Sequence, residues 1–292
     1  MADFRILAEG QVARVHVHDA VSGEDVVVHE SATVLLEAPN WTADGSALLV
    51  NGEGVLWSLA PEPGAEPVRI EHSALPEINN DHVLDPDGRH VFLSAMDGHI
   101  YRAPIAGGAA ERVTEDEGVW HFLHGVSPDG RRLAYVRMAS FEEPGRLAVL
   151  ASDGGPATLV DTGEGHIDGP EWSPDGRWIH FNTERWATEP GHAQLARVPD
   201  GGGEVERLVT SGTVDWFPHL APDGRTAVYI EFPAGTLGHP ADKDVSLVVV
   251  DVADWSAPRE RIGLPGGQGT INVNSWAPDS RRFAYVSYPT AG

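Results

Sequence analysis

Trp172-Ser173-Pro174-Asp175-Gly176-Arg177, followed at once by Trp178-Ile179-His180-Phe181, reads as a tight turn leading into a β-strand. Pro presets φ at the second turn position, Asp caps its own backbone and Gly accepts a positive φ. The apolar alternation behind the turn has the period of a strand. The turn returns as Ala43-Asp44-Gly45-Ser46, Pro86-Asp87-Gly88-Arg89, Pro128-Asp129-Gly130-Arg131 and Pro222-Asp223-Gly224-Arg225. A last copy, Pro278-Asp279-Ser280-Arg281, has Ser in place of Gly. Between the Gly positions (Ser280 in the last copy) the intervals are 43, 42, 46, 48 and 56 residues. A period of about 40–50 residues that holds several strands is the period of propeller blades. The expected fold is therefore all-β: a six-bladed β-propeller of four-stranded antiparallel blades.

Each repeat runs in one order: a polar stretch entering the innermost strand, the turn, a second strand, a loop of variable length, and two outer strands. The last repeat has one strand left after its turn, Arg282-Phe283-Ala284-Tyr285-Val286. The N-terminus has the complementary surplus, Val12 to Val17 and Asp25 to His29. Residues 1–30 are thus expected to complete the sixth blade of one propeller domain. The blades span about 31–73, 74–116, 117–162, 163–211, 212–265 and 266–292, and closing the ring removes the exposed sheet edges. Insertions fall between second and third strands, at 138–146, 183–192 and 232–244. They elaborate the face opposite the Asp-Gly turns, where binding is expected.

The chain of 292 residues carries a formal charge of −24 and no cysteine. The charge argues against nucleic acid and against anionic membranes as partners. The lack of cysteine excludes disulfides and thiolate metal sites. No apolar run reaches signal-peptide or membrane-spanning length, so the expected location is the cytosol unless a leader was removed. Lys243 is the only lysine. It stands in the blade 5 insertion near His239, placed to bind a carboxylate or assist proton transfer.

Rotational symmetry places residues just upstream of each turn around the axis. His82 and His124 both precede their motif Pro by four residues, and His219 by three. With His239 they form a candidate site for a divalent transition metal (Mn, Zn, Ni or Fe), since imidazole suits these ions. His166, Asp168, Glu171 and Lys243 are candidate catalytic groups or partners of the metal ligands. Asn80, Trp120, Trp216, Gln268 and Asn272 are candidate substrate contacts. Calcium is the alternative ion, held by Asn80, Asp168 and Asn272, all six residues before their motif Pro. Trp41, Trp172 and Trp276 precede their turns at equal offsets and read as packing between blades.

The repeated Pro-Asp-Gly turns, with Trp172 to Gly176 the fullest copy, resemble the TolB-type propeller repeat along the whole chain. Ile78 to His82, Gly165 to Glu171, Trp216 to His219, Gly238 to Pro240 and Gly266 to Val273 look like segments of a stand-alone TolB-like subgroup. Oligogalacturonate lyase is similar in repeat type. That likeness implies a metal held by axial His residues and a Gln, acidifying the proton beside a uronate carboxylate; His82, His124, His219, His239 and Gln268 are the matching positions. The leading expectation is a metal-dependent, lyase-like enzyme for a sugar acid or oligosaccharide. The alternatives are a TolB-like module binding protein or glycan, and a calcium-dependent lactonase-type hydrolase.

Overall fold

A computed structural model describes residues 5–115 and 118–290. Among them every regular element is a strand, and none is a helix. Five sheets of four strands stand side by side, with innermost strands Glu37–Trp41, Ile78–Leu84, Trp120–Val126, Ile167–Trp172 and Val214–Leu220. They are blades 1 to 5, and their ladders are antiparallel.

Blade 6 is assembled from both ends of the chain. Ala13–Asp19 lies between Asp25–Ser31 and Arg282–Ser287. The innermost segment of this blade follows Arg282–Ser287 irregularly: Trp276 bridges to Phe283, and the Ala284 and Val286 N–H groups donate to the Ser275 and Thr270 carbonyls at 3.0 Å each. Residues 267–275 turn inward as a loop. Gly267 and Gly269 take φ of +113° and +86°, and a Cβ on Gly269 would lie 2.5 Å from both Glu37 Oε1 and Tyr288 Oη. Only glycine fits there.

The turns are built as their residues dictate. In blade 4 the Gly176 N–H donates to the Ser173 carbonyl at 2.8 Å, at φ +71°. Ser173 Oγ and the Arg177 N–H donate to Asp175 Oδ1 at 2.6 and 3.1 Å. The core lies between blades. Trp41, Trp172 and Trp276 are 4%, 3% and 4% exposed, each stabilising its interface by on the order of 2–3 kcal/mol.

One irregularity recurs in blades 1 to 5 and sets up the axis. The ladder between first and second strands slips at Glu37/Asn40, Ile78/His82, Leu123/Gly125, Asp168/Glu171 and Trp216/His219. These are β-bulges, in which extra residues leave the ladder and re-aim the side chains around them. Ala38, Gly169 and Phe217, all five residues before their motif Pro or its equivalent, take the left-handed conformation at φ 49°, 60° and 55°.

Candidate functional site

The bulges bring titratable side chains from several blades to one end of the central tunnel. Asp168 of blade 4 is the hub. Its Oδ1 accepts from the Gly169 N–H at 2.7 Å and from His124 Nε2 at 2.9 Å. Its Oδ2 faces His239 Nε2 at 3.6 Å and His166 Nε2 at 3.8 Å. Asp81 Oδ1 lies 3.9 Å from His124 Nε2 on the other side. The blade 6 loop adds Gln268, whose Oε1 accepts from His239 Nδ1 and from Asn272 Nδ2. The mouth is formed by His239 and His166, with side chains 26% and 23% exposed; His124, at 3%, lies beneath.

Hydrogen bonding fixes the protonation of each ring. His124 has acceptors at both nitrogens, the Asn272 carbonyl at 3.2 Å and Asp168, so both carry protons and the ring is a cation. Burial opposes this, but the charges of Asp81 and Asp168 outweigh it and raise His124 to about 9. His166 Nδ1 accepts from the Gly145 N–H at 2.9 Å, which leaves the proton on Nε2, toward Asp168. In the neutral ring His239 donates through Nδ1 to Gln268, and its unprotonated Nε2 stands 3.6 Å from Asp168 Oδ2 at the mouth.

The two carboxyls move apart. Burial alone would raise Asp168, but the His124 cation and the imidazole hydrogen bonds hold it well below the usual range. Asp81 is raised by burial, and Asp168 adds to the rise against the opposing His124 charge. Burial and the neighbouring charges thus drive two carboxyls of one site in opposite directions. Trp216 is buried behind the mouth, its ring 4.5 Å from that of His239 and 6.0 Å from that of His166.

Of the sequence-predicted residues, the structure gathers His124, His166, Asp168, His239, Gln268 and Asn272. It places others elsewhere. His82 shares the offset of His124, but it follows its bulge and pairs with Leu93 in the ladder, whereas His124 is the bulged residue. One step of register turns a side chain to the other face. His82 therefore lies fully buried between blades, 3.4 Å from the Leu49 carbonyl, and burial lowers it to about 4. His219 spends both nitrogens on structure, with Glu171 Oε2 at 2.6 Å and the Ile271 carbonyl at 2.8 Å. Glu171 is thereby an interblade anchor, also accepting from Asn274 Nδ2 at 2.5 Å and the Leu220 N–H at 3.3 Å. The expected four-histidine metal site is not assembled.

Lys243 is exposed at the start of Lys243–Asp251, paired with Gly266. Asn80 is buried in the blade 2 bulge beside Asp81. Trp120 stacks on Phe122 and meets Phe141 at a tilt, with ring centroids 6.2 and 5.2 Å away. Sequence reasoning missed Asp81, although it adjoins His82 in the quoted stretch. It also missed Glu37, Arg5, Asp242 and Gln11, which meet behind Gln268.

The donors do not fit a bound metal in this arrangement. Among the described residues, the single group of three His or carboxylate donors mutually within 4.8 Å is Asp85, Asp87 and His90, beside a Pro-Asp-Gly turn. There the Arg102 guanidinium already fills the cation's place, 2.7 and 2.8 Å from the two aspartates. Of the calcium set, Asn272 is already engaged, its Oδ1 accepting from the Gly269 N–H and its amide donating to Gln268.

An uncharacterized protein of Agrobacterium fabrum is 38% identical over 260 residues, covering 87% of this chain and 85% of that protein. A solved TolB-type structure from Agrobacterium tumefaciens superimposes with a TM-score of 0.87 at 34% identity, over 96% of this chain and 99% of that one. The chain belongs to the TolB-like propeller family. A manganese complex of oligogalacturonate lyase shares the fold at a TM-score of 0.55 and 16% identity, over 91% of this chain and 76% of that one. No family model matches the chain.

Proposed function

We propose that this TolB-like protein is a lyase-type enzyme that moves a proton on a carbohydrate acid in the axial funnel. The observation that carries the reading is the complementary proton placement around Asp168: an unprotonated Nε2 on a His239 that donates through Nδ1, an N–H on His166 Nε2, and a fixed cation at His124. His239 Nε2 takes the proton from the carbon next to the substrate carboxylate. The C–H electrons form a double bond to the neighbouring carbon, whose C–O bond breaks. The leaving oxygen keeps that electron pair and takes up the proton that His239 Nε2 removed, so the imidazole ends as it began. The His166 N–H and the His124 charge face the negative charge that develops on the substrate carboxylate. The sugar-acid class rests on the His124 cation and the His166 N–H within a chain of net charge −24 and on the lyase kinship of fold. A divalent metal, present in the lyase complex, has no assembled donor set here, and no step is routed through one.

The test is incubation with oligouronates, following ultraviolet absorbance of the unsaturated product with chelator or with added manganese. Turnover that His239→Asn abolishes supports the proposal. No product with any uronate, together with unmoved His166 and His239 imidazole signals on their addition, overturns it. A second reading, docking of a protein or glycan, draws on Phe141 and Leu237, 69% and 66% exposed on the elaborated loops, and on Ile6, 80% exposed. Binding without turnover is its mark.

A further inference from the structure

Residues 5–11 reach the two loops that supply His239 and Gln268. Arg5 Nη1 donates to the Gln268 carbonyl at 2.8 Å, and its Nη2 donates to Asp242 Oδ1 at 2.8 Å. Its guanidinium carbon stands 4.0 Å from the Tyr288 ring centroid, and Glu37 Oε1 is 3.6 Å from Nη1. Gln11 Nε2 donates to the same Asp242 oxygen at 2.7 Å and to the Tyr288 carbonyl at 3.2 Å. Asp242, three residues beyond His239, is held in the left-handed conformation at φ 57°. The loops also meet directly, the Gln268 N–H donating to the Pro240 carbonyl at 3.2 Å. A Cβ on Gly267 would lie 2.1 Å from that oxygen.

A planar fork thus joins a carboxylate on one loop to a carbonyl on the other. Bidentate bridging of this kind suits arginine and not lysine. The bridged loops hold the two ends of the His239–Gln268 hydrogen bond, the bond that keeps the His239 proton on Nδ1. We infer that Arg5 is a positioning residue: by clamping the blade 5 and blade 6 loops it fixes the His239 tautomer and keeps Nε2 as a proton acceptor. Its importance rests on the acid–base reading above, but its physical content does not, because the tautomer is measurable without any substrate.

The experiment is long-range proton–nitrogen NMR of imidazole-labelled protein. The unaltered protein is expected to show His239 protonated at Nδ1. In Arg5→Gln, and independently in Asp242→Asn, the tautomer ratio should shift about tenfold toward Nε2–H, the equivalent of one lost hydrogen bond. Arg5→Lys should shift it as well, because an ammonium does not span both acceptors. His166, whose tautomer is set by the Gly145 N–H, should keep its signals. An unchanged His239 ratio in the folded variants overturns the inference. Full restoration by lysine, or an equal change at His166, overturns it too, the first assigning the effect to charge alone and the second to general loosening. Should Arg5→Gln not fold, Asp242→Asn carries the test. A null result here leaves the uronate assay standing, so the two readings fail separately.

Discussion

His124→Gln removes a buried cation whose cost and benefit are both set by the funnel. In the folded protein His124 is raised from the ordinary 6.5 to about 9. A folded value above the unfolded one stabilises fully below the unfolded value and is lost as pH rises through the folded one. The window is therefore about pH 6.5 to 9, and at about 1.36 kcal/mol per unit the stability involved is about 3 kcal/mol. His18 and His166 are also raised, so the slope of the unaltered protein alone is not diagnostic. The difference between it and His124→Gln isolates the one ring. Urea unfolding followed by tryptophan fluorescence, near pH 6 and near pH 9.5, should show the unaltered protein losing about 3 kcal/mol more than the variant over that interval. An NMR titration should place the His124 midpoint near 9. Equal pH dependence in the two proteins, or a His124 midpoint near 6.5, refutes the charge assignment and with it the fixed cation of the mechanism.

Other expectations follow from the same geometry. His180 is buried with neither nitrogen hydrogen-bonded among the described residues, and burial with the Arg197 charge lowers it to about 3. Its neutral form is the folded one, so stability falls as pH drops below 6.5; His180→Phe should gain about 2 kcal/mol at pH 5 in urea unfolding, and no gain there dismisses the cause. Gly169→Ala should cost on the order of 2 kcal/mol, because Gly169 sits at φ +60° and the new Cβ would lie 2.8 Å from the Phe217 ring; a melting temperature within error of the parent contradicts this. Glu171→Ala strips His219, Asn274 and the Leu220 N–H of their shared acceptor. It should cost about 3 kcal/mol, with the 267–275 loop exchanging amide protons faster; unaltered exchange there would show that His219 does not anchor the loop.

The ring and its blade order were legible because the Asp-Gly turn is local chemistry, complete within a few residues each time. The direction of a side chain beside the axis was not legible, because it depends on where each bulge falls. His82 and His124 share an offset and point to different places, since one lies past its bulge and the other is the bulge. The irregular course of the sixth innermost segment was hidden for a related reason. Gly267 and Gly269 permit a loop that packs Gln268 against His239, and nothing in a strand-period reading separates that from an irregular strand. Arg5 and Gln11 lie outside every repeat, and their contacts with Asp242 cross more than two hundred residues. No periodicity marks such a pairing.

The pairing of Ala13–Asp19 with Arg282–Ser287 also sets a timetable for synthesis. The earlier of these strands leaves the ribosome with one flank unfilled and must wait for all of blades 1 to 5 before its neighbour exists. Contacts of such long sequence separation form late and slowly, and an unfilled flank invites strangers meanwhile. A nascent polypeptide stalled short of residue 282 should therefore be rich in chaperone contacts, and release of those contacts should coincide with arrival of the final strand.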